Sequence, residues 1–524
     1  MRMKKISLLA VILSLCVLLA ACGTQQGQST DSTQTGWTTR QADSDAVSIV
    51  LSDSGVTVGG KAATSDSSES VYVNNDIVFY LEGQGFTYGE GEEKDEHSQS
   101  EADAHTVVHI TEAGEYVISG CLSAGQIAVD LGKDAADDPN AVVTLVLDNA
   151  DITCTVAPAV IFYNVYECGS KDEETAAMEV DTSDAGANVV IADGSENNIS
   201  GSYVARIYKS VELDESGTKV VDSKKLHKYD AAFYSKKTMN IYGEEKNSGV
   251  LNIFAENEGL DSELHLTIFS GNINIRSGND GINTNEDNVS VTHILGGVVN
   301  ITVDGSTGEG DGIDSNGWLV IDGGTVNAYA CGFSGDSGID ADKGVYVRSG
   351  QVVATGNMYD RVVSEQTSAV FSFALRQSGG NEYSLCDESG KAVLTCTPAN
   401  DFQYLYVSAP RLAAGNYTFR QGDKLLKGTA GRQHMGDFMG GFHQGNPPEM
   451  PEGMERPEMP EGMTPPEEME RPEMPEGMTP PEGMERPEKP EGMTPPEGFG
   501  GGAPAQETSE LFAIAEGENT FEIS

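Results

Sequence analysis

Asp261, Asn283, Asp314 and Asp340 each follow a glycine by two residues in a phrase that keeps returning. It reads Glu258-Gly259-Leu260-Asp261, Asp280-Gly281-Ile282-Asn283, Asp311-Gly312-Ile313-Asp314 and Ser337-Gly338-Ile339-Asp340, with the glycines 22, 31 and 26 residues apart. A second series follows at Asn285, Asn316 and Asp342, and a third is offered by Asp280, Asp311 and Asp336. Carboxylate and amide oxygens are what a hard divalent cation such as calcium takes, six to eight of them at about 2.3–2.6 Å. If the returns stack about 4.8 Å apart, the acidic side chains repel one another unless a cation lies between them. The metal-ligand set read from the repeats is therefore Asp261, Asp280, Asn283, Asp311, Asp314, Asp336, Asp340 and Asp342. The same residue types also make turns by hydrogen-bonding their own backbone, and neither an EF-hand loop nor the nonapeptide calcium repeat is present.

Short β-rich runs lie between the returns, such as Leu264 to Ile268, Val289 to Thr292, Leu319 to Ile321 and Val345 to Val347. A glycine turn follows each, then a second run holding an asparagine: Asn252, Asn274, Asn300, Asn327. Strict alternation such as Ile273-Asn274-Ile275 sends one apolar set inward and one polar set outward. Repeats of this length, with strands and turns but no helical periodicity, predict a solenoid in which the asparagines form an amide ladder.

The chain opens with Arg2, Lys4 and Lys5, then the apolar run Ile6 to Ala20, which is the pattern of a secretory signal. Leu19-Ala20-Ala21-Cys22-Gly23 looks like a bacterial lipobox, which predicts a lipid on Cys22, attachment to the cell membrane and an extracytoplasmic protein. Net charge is −50, from 82 acidic against 32 basic residues. That sign disfavours nucleic acid and anionic lipid and favours divalent cations. After the signal and Cys22, six cysteines remain without CxxC or zinc spacing; Cys386 and Cys396 are the nearest candidate pair for a disulfide. Residues 436–502 repeat Pro-Glu-Gly-Met and Glu-Arg-Pro-Glu, too poor in apolar residues to form a core. Their methionines suit copper(I), and an extended spacer would have the same composition.

Ile110 to Leu131 (ITEAGEYVISGCLSAGQIAVDL), Val143 to Thr153 (VTLVLDNADIT) and the later Asp-Gly-Ile returns resemble a bacterial family of lipid-anchored or secreted carbohydrate-binding proteins, over residues 47–429. The family is best known from clostridial surface proteins that bind pectin-type and cellulosic polysaccharides. The resemblance implies an all-β fold, a right-handed parallel β-helix of pectate-lyase-like type, with bound calcium and polysaccharide binding without catalysis. The expected organisation is a signal peptide (1–21), a tether (22–46), an N-terminal β region with an acidic insertion (47–125), the parallel β-helix (126–360) and a small antiparallel β domain (361–430). The low-complexity stretch (431–505) then forms a long loop, and terminal strands (506–524) rejoin the small domain. A monomer is expected.

For the sugar, Tyr329, Tyr346 and Tyr359 offer aromatic faces, as does Trp318, though each also suits a packed core position. Arg276, Arg348 and Arg361 offer guanidinium groups to substrate carboxylates. The same arginines keep a rival open, a polysaccharide lyase in which calcium acidifies a uronate and a basic residue takes the proton; fold analogy does not decide between them. A third reading is a structural adhesin or spacer that calcium only stabilises.

Overall fold

The computed structural model describes residues 38–431 and 508–524. The signal segment, Cys22, most of the tether and the Pro/Met-rich repeats lie outside the described residues. The described chain is all-β, and none of its helices is long and apolar enough to cross a membrane.

Most strands stack in three parallel columns. The first runs from the start of Val143–Cys154 through Ala187–Ile191, Met239–Gly243, His265–Ile268, Val291–Ile294, Trp318–Ile321 and Gly344–Val347 to Val362–Ser364. The second runs from the end of Val143–Cys154 through Glu196–Gly201, Val250–Ala255, Asn272–Ser277, Val298–Val303 and Thr325–Tyr329 to Gln351–Gly356. The third holds Thr106–Ile110, Gly125–Asp130, Val160–Asn164, Ala231–Ser235, Glu258–Ser262 and Ile282–Thr284, and continues by single bridges from Ile282 to Ile313 to Ile339. From Glu258 onward each pass of the chain adds to the third column, then the first, then the second.

Alternation decides which side chains enter the middle. Ile241, Ile268, Ile294 and Ile321 from the first column, Ile253, Ile275 and Ile301 from the second, and Leu260, Ile282, Ile313 and Ile339 from the third are all buried in one core. β-branched residues suit this packing on a pleated surface. The returning glycines are required by close approach. A Cβ on Gly259, Gly281 or Gly312 would stand 2.5, 2.6 or 2.3 Å from the carbonyl oxygen of Gly281, Gly312 or Gly338 on the next pass.

The asparagine series does form a ladder. Asn252 donates to Asn198 at 3.0 Å, Asn274 to Asn252 at 2.9 Å, Asn300 to Asn274 at 2.9 Å and Asn327 to Asn300 at 2.8 Å. Asn198 extends the series by one place before Asn252.

Several boundaries differ from expectation. Parallel stacking starts well before residue 126, because Val47–Leu51 pairs with Gly114–Leu122, which pairs with Val143–Cys154. Residues 38–42, expected in the tether, are held by bonds from Arg40 N to Gly243 O and from Ser270 Oγ to Thr38 O, with Ala42 packed against the cluster of Val146, Val190, Ala192 and Tyr242. The apolar outer face there, Val146, Val190 and Tyr242, gives this polar segment something to cover. Cys386 lies across from Ala392 and Cys396 from Tyr383, so the two cysteines are offset along the hairpin, and both are free thiols.

The C-terminal region closes the end of the columns. Phe402–Ser408 runs antiparallel to both Gln351–Gly356 and Ser368–Gln377. The terminal strands join this region: Leu511–Ile514 pairs with Gly415–Gln421, and Glu518–Ile523 pairs with Ser368–Gln377. That last pairing is parallel, so the small domain is not purely antiparallel. Its core is aromatic, with Phe371 stacked 4.0 Å from Phe419 and packed on Phe512 and Phe521.

Candidate functional site

The third column carries the acidic residues on the face opposite its core side chains. Asp261 pairs in register with Tyr234 on one side and Asn283 on the other. The Ile282–Ile313–Ile339 bridges then bring Asp314 and Asp340 into the same file. Three positions earlier, Glu258, Asp280 and Asp311 form a second file, since Gly259 N donates to Asp280 O and Gly281 N to Asp311 O. Glu258 was not among the residues singled out from sequence, although it opens the first return of the phrase and the register alone would have included it.

Asp280 Oδ1 accepts from Asp311 N at 2.7 Å, and Asp311 Oδ1 from Ser337 N at 2.6 Å. Asp336 is one place out of step: its carboxylate accepts from Gly310 N at 2.7 Å and from the Ser334 hydroxyl. Asn285 donates to Asp261, and Asn316 to Asn285 O and Asp287, while Asp342 N bonds Ser315 O. The structure thus brings Asp261, Asp280, Asn283, Asp311, Asp314 and Asp340 together with Glu258 and leaves Asp336 at the margin.

Burial pushes the carboxyls of Glu258 and Asp261 well above the usual carboxylate range; Asp261 adds to the effect on Glu258, and Asp230 to both. Burial, with Asp280 and Asp340 adding to it, likewise raises Asp311 and takes Asp314 to about 8. Asp280 is pushed up to about 7 by burial, and Asp340 to about 7 by burial and by Asp360. Asp360 carries no signal in the repeat; it arrives from the next loop. Three oxygens in these files are buried without a hydrogen-bond partner: Glu258 Oε2, Asp261 Oδ2 and Asn283 Oδ1. Such oxygens are costly unless they hold a proton or a cation, and an oxygen-rich set of this kind fits calcium. Among the described residues, no group of three or more His, Cys, Asp or Glu side chains is placed to hold a metal ion.

The two long insertions bring lysines to this face. Strands Val204–Leu213 and Val220–Tyr229 form a hairpin whose Lys228 lies 2.7 Å from Asp230 and whose Lys225 lies 3.2 Å from Glu263. Burial works against the charge on Lys228, yet Asp230, with Glu258 and Asp261, holds its ammonium above its ordinary value. Lys171, from the other insertion, pairs with Glu286 at 2.5 Å.

The residues expected at a sugar are scattered. Arg276 stands on the outer face of the second column, 3.2 Å from Asp304. Tyr329 is in the same outer row but packs on the C-terminal domain. Tyr346 is half-buried on the first column. Arg348 is engaged by Glu179, Asp322 and Glu365. Tyr359 donates to Glu518 at 2.9 Å and stacks on Tyr404 and Tyr406. Phe254, which the sequence reading passed over, is 46% exposed beside Arg276.

The model of the carbohydrate-binding domain-containing proteins matches residues 104–378, which takes in most of the three columns. The chain belongs to this carbohydrate-binding domain family. No curated protein matches it. Among solved structures, it is similar to a polysaccharide lyase-like protein from C. thermocellum determined as a gadolinium derivative, at 19% identity and a TM-score of 0.32. That match covers 61% of this chain and 91% of the other.

Proposed function

We propose that this protein binds an extracellular polysaccharide without cleaving it, on a right-handed parallel β-helix whose acidic files hold calcium. It is anchored outside the cell membrane through a lipid on Cys22 and acts as a monomer. Family membership supports the carbohydrate. The observation that carries the calcium reading is the stack of buried carboxyls with orphaned oxygens on Glu258, Asp261 and Asn283. Glu258, Asp261, Asp280, Asn283, Asp311, Asp314 and Asp340 would supply the oxygens, and Asp336 and Asp342 stand beside them. A bound calcium would neutralise the files and offer its remaining positions to sugar hydroxyl or uronate oxygens.

The basic groups support binding over lyase chemistry. Of the three arginines, Arg276 and Arg348 are ion-paired, and Lys228 is ion-paired with Asp230, which holds its charge, whereas a lyase base must be neutral to take a proton.

The test is retention on polygalacturonate and on insoluble polysaccharides, with calcium and with chelator, while absorbance of unsaturated products is followed. Calcium-dependent retention with no rise in absorbance is expected. A rising signal would make the protein a lyase, and neither retention nor product would leave a structural adhesin.

A further inference from the structure

The outer faces of the three columns are dressed differently. Residues 167–187 lie across the first: Thr182 bonds Thr267, and Asn188 and Asn240 donate to Ala185 O and Thr182 O. The hairpin covers the start of the third, where the Tyr234 hydroxyl meets Lys228 O and Glu263. On the second column one outer row stays open. It runs in register as Thr153, Ser200, Phe254, Arg276 and Thr302, with steps of about 4.8 Å. Phe254 and Arg276 are its exposed members, at 46% for Phe254 and 65% for the Arg276 side chain. A shallow cavity of about 340 Å³ lies over this row, with Glu256 and Asp304 on its rim.

We propose that this row is a subsite for a neutral hexopyranose unit of an extended glycan, and that it works without calcium. The inference rests on the carbohydrate-binding reading and places a second, separate contact on a different face from the acidic files. Phe254 is a large apolar ring left in water on an otherwise polar row, and its face suits the C–H side of a pyranose. The rim supplies hydrogen-bonding groups for ring hydroxyls. Arg276 is held 3.2 Å from Asp304, and Glu256 is fixed by the Ser202 hydroxyl at 2.6 Å. Rigid, oriented polar groups of this kind specify a sugar at low entropic cost. The charges choose the sugar: one guanidinium faces two carboxylates on a chain of net charge −50, so a uronate is repelled and a neutral unit is not. The Asn198–Asn252–Asn274 ladder runs parallel, two residues back in each strand.

The full chain is titrated calorimetrically with cellohexaose and with hexagalacturonate, each with calcium and with chelator, as wild type and as Phe254→Ala and Phe254→Trp. The expected result is cellohexaose binding that chelator leaves unchanged, that Phe254→Ala weakens about tenfold or more and that Phe254→Trp retains. Because Phe254 is exposed, the melting temperature of both variants stays at the wild-type value. Wild-type affinity in Phe254→Ala, loss of cellohexaose binding in chelator, or no cellohexaose binding at all would each overturn the subsite. Calcium-dependent hexagalacturonate binding that survives such a result would leave the broader carbohydrate reading standing; loss of both ligands would remove both.

Discussion

Asn285 donates its amide to Asp261 Oδ1 at 2.8 Å, which leaves Asp261 Oδ2 buried with no partner. One oxygen of that carboxylate is thus fixed by the next pass of the chain, and the carboxyl as a whole interacts with Glu258 and Asp230. A side chain held in this way would be preorganised for the proposed cation, because orienting it would cost nothing further.

Asp261→Asn keeps the shape and removes the charge. Calcium content measured by plasma emission should fall, and the drop in melting temperature that chelator causes in the wild type should shrink. Asp311→Ala should also lower calcium content and cost about 1–3 kcal/mol, because Ser337 N loses its acceptor. Unchanged metal content in both variants would remove these files as the calcium site.

The ladder predicts a positional gradient. Asn300 both donates to Asn274 and accepts from Asn327, whereas Asn198 stands at the end and only accepts from Asn252. Asn300→Ala should destabilise by about 1–2 kcal/mol, and Asn198→Ala by about half as much. Denaturant unfolding reads the difference, and equal losses would mean the ladder bonds carry little of the stability.

Gly312→Ala would place a methyl 2.3 Å from Gly338 O and 2.9 Å from Ala328 Cβ. Neither neighbour is a flexible side-chain end, so the passes must separate, at a cost of about 1–3 kcal/mol or more. Gly335→Ala, where a Cβ meets nothing within 4 Å, is the control and should be close to neutral. A Gly312→Ala protein as stable as the control would show that the passes are less tightly stacked than this.

His265 gives a pH dependence. It is buried, its Nδ1 accepts from Val291 N at 3.1 Å, and burial, aided by Lys171, lowers its pKa from 6.5 to about 4. The unfolded chain therefore binds a proton that the native chain refuses. The contribution is intact above pH 6.5 and is lost as pH falls from 6.5 toward about 4, for a loss of at most about 3 kcal/mol. His265→Gln should flatten unfolding free energy against pH across that window, and a variant with the wild-type slope would show that His265 is not its source.

The period, the strands and the ladder are legible in the chain alone, because each rests on a local pattern: alternation in Ile273-Asn274-Ile275, or the Asp-Gly-Ile returns whose glycine and acid keep the same offset. So is the common file of Asp261, Asn283, Asp314 and Asp340, since equal offsets from stacked glycines fix equal places along a column. The remaining features come from folding in three dimensions, because those contacts join residues far apart in the chain. Asp360 meets Asp340 from a loop with no place in the repeat, and Asp336 slips out of its expected file because Gly310 and Ser334 claim its carboxylate. Arg348 is drawn to Glu179 by an insertion whose path no periodicity encodes. Phe254 looks like a core residue in Asn252-Ile253-Phe254-Ala255, yet strand alternation turns it outward, and the insertions that cover the other two columns leave it in solvent.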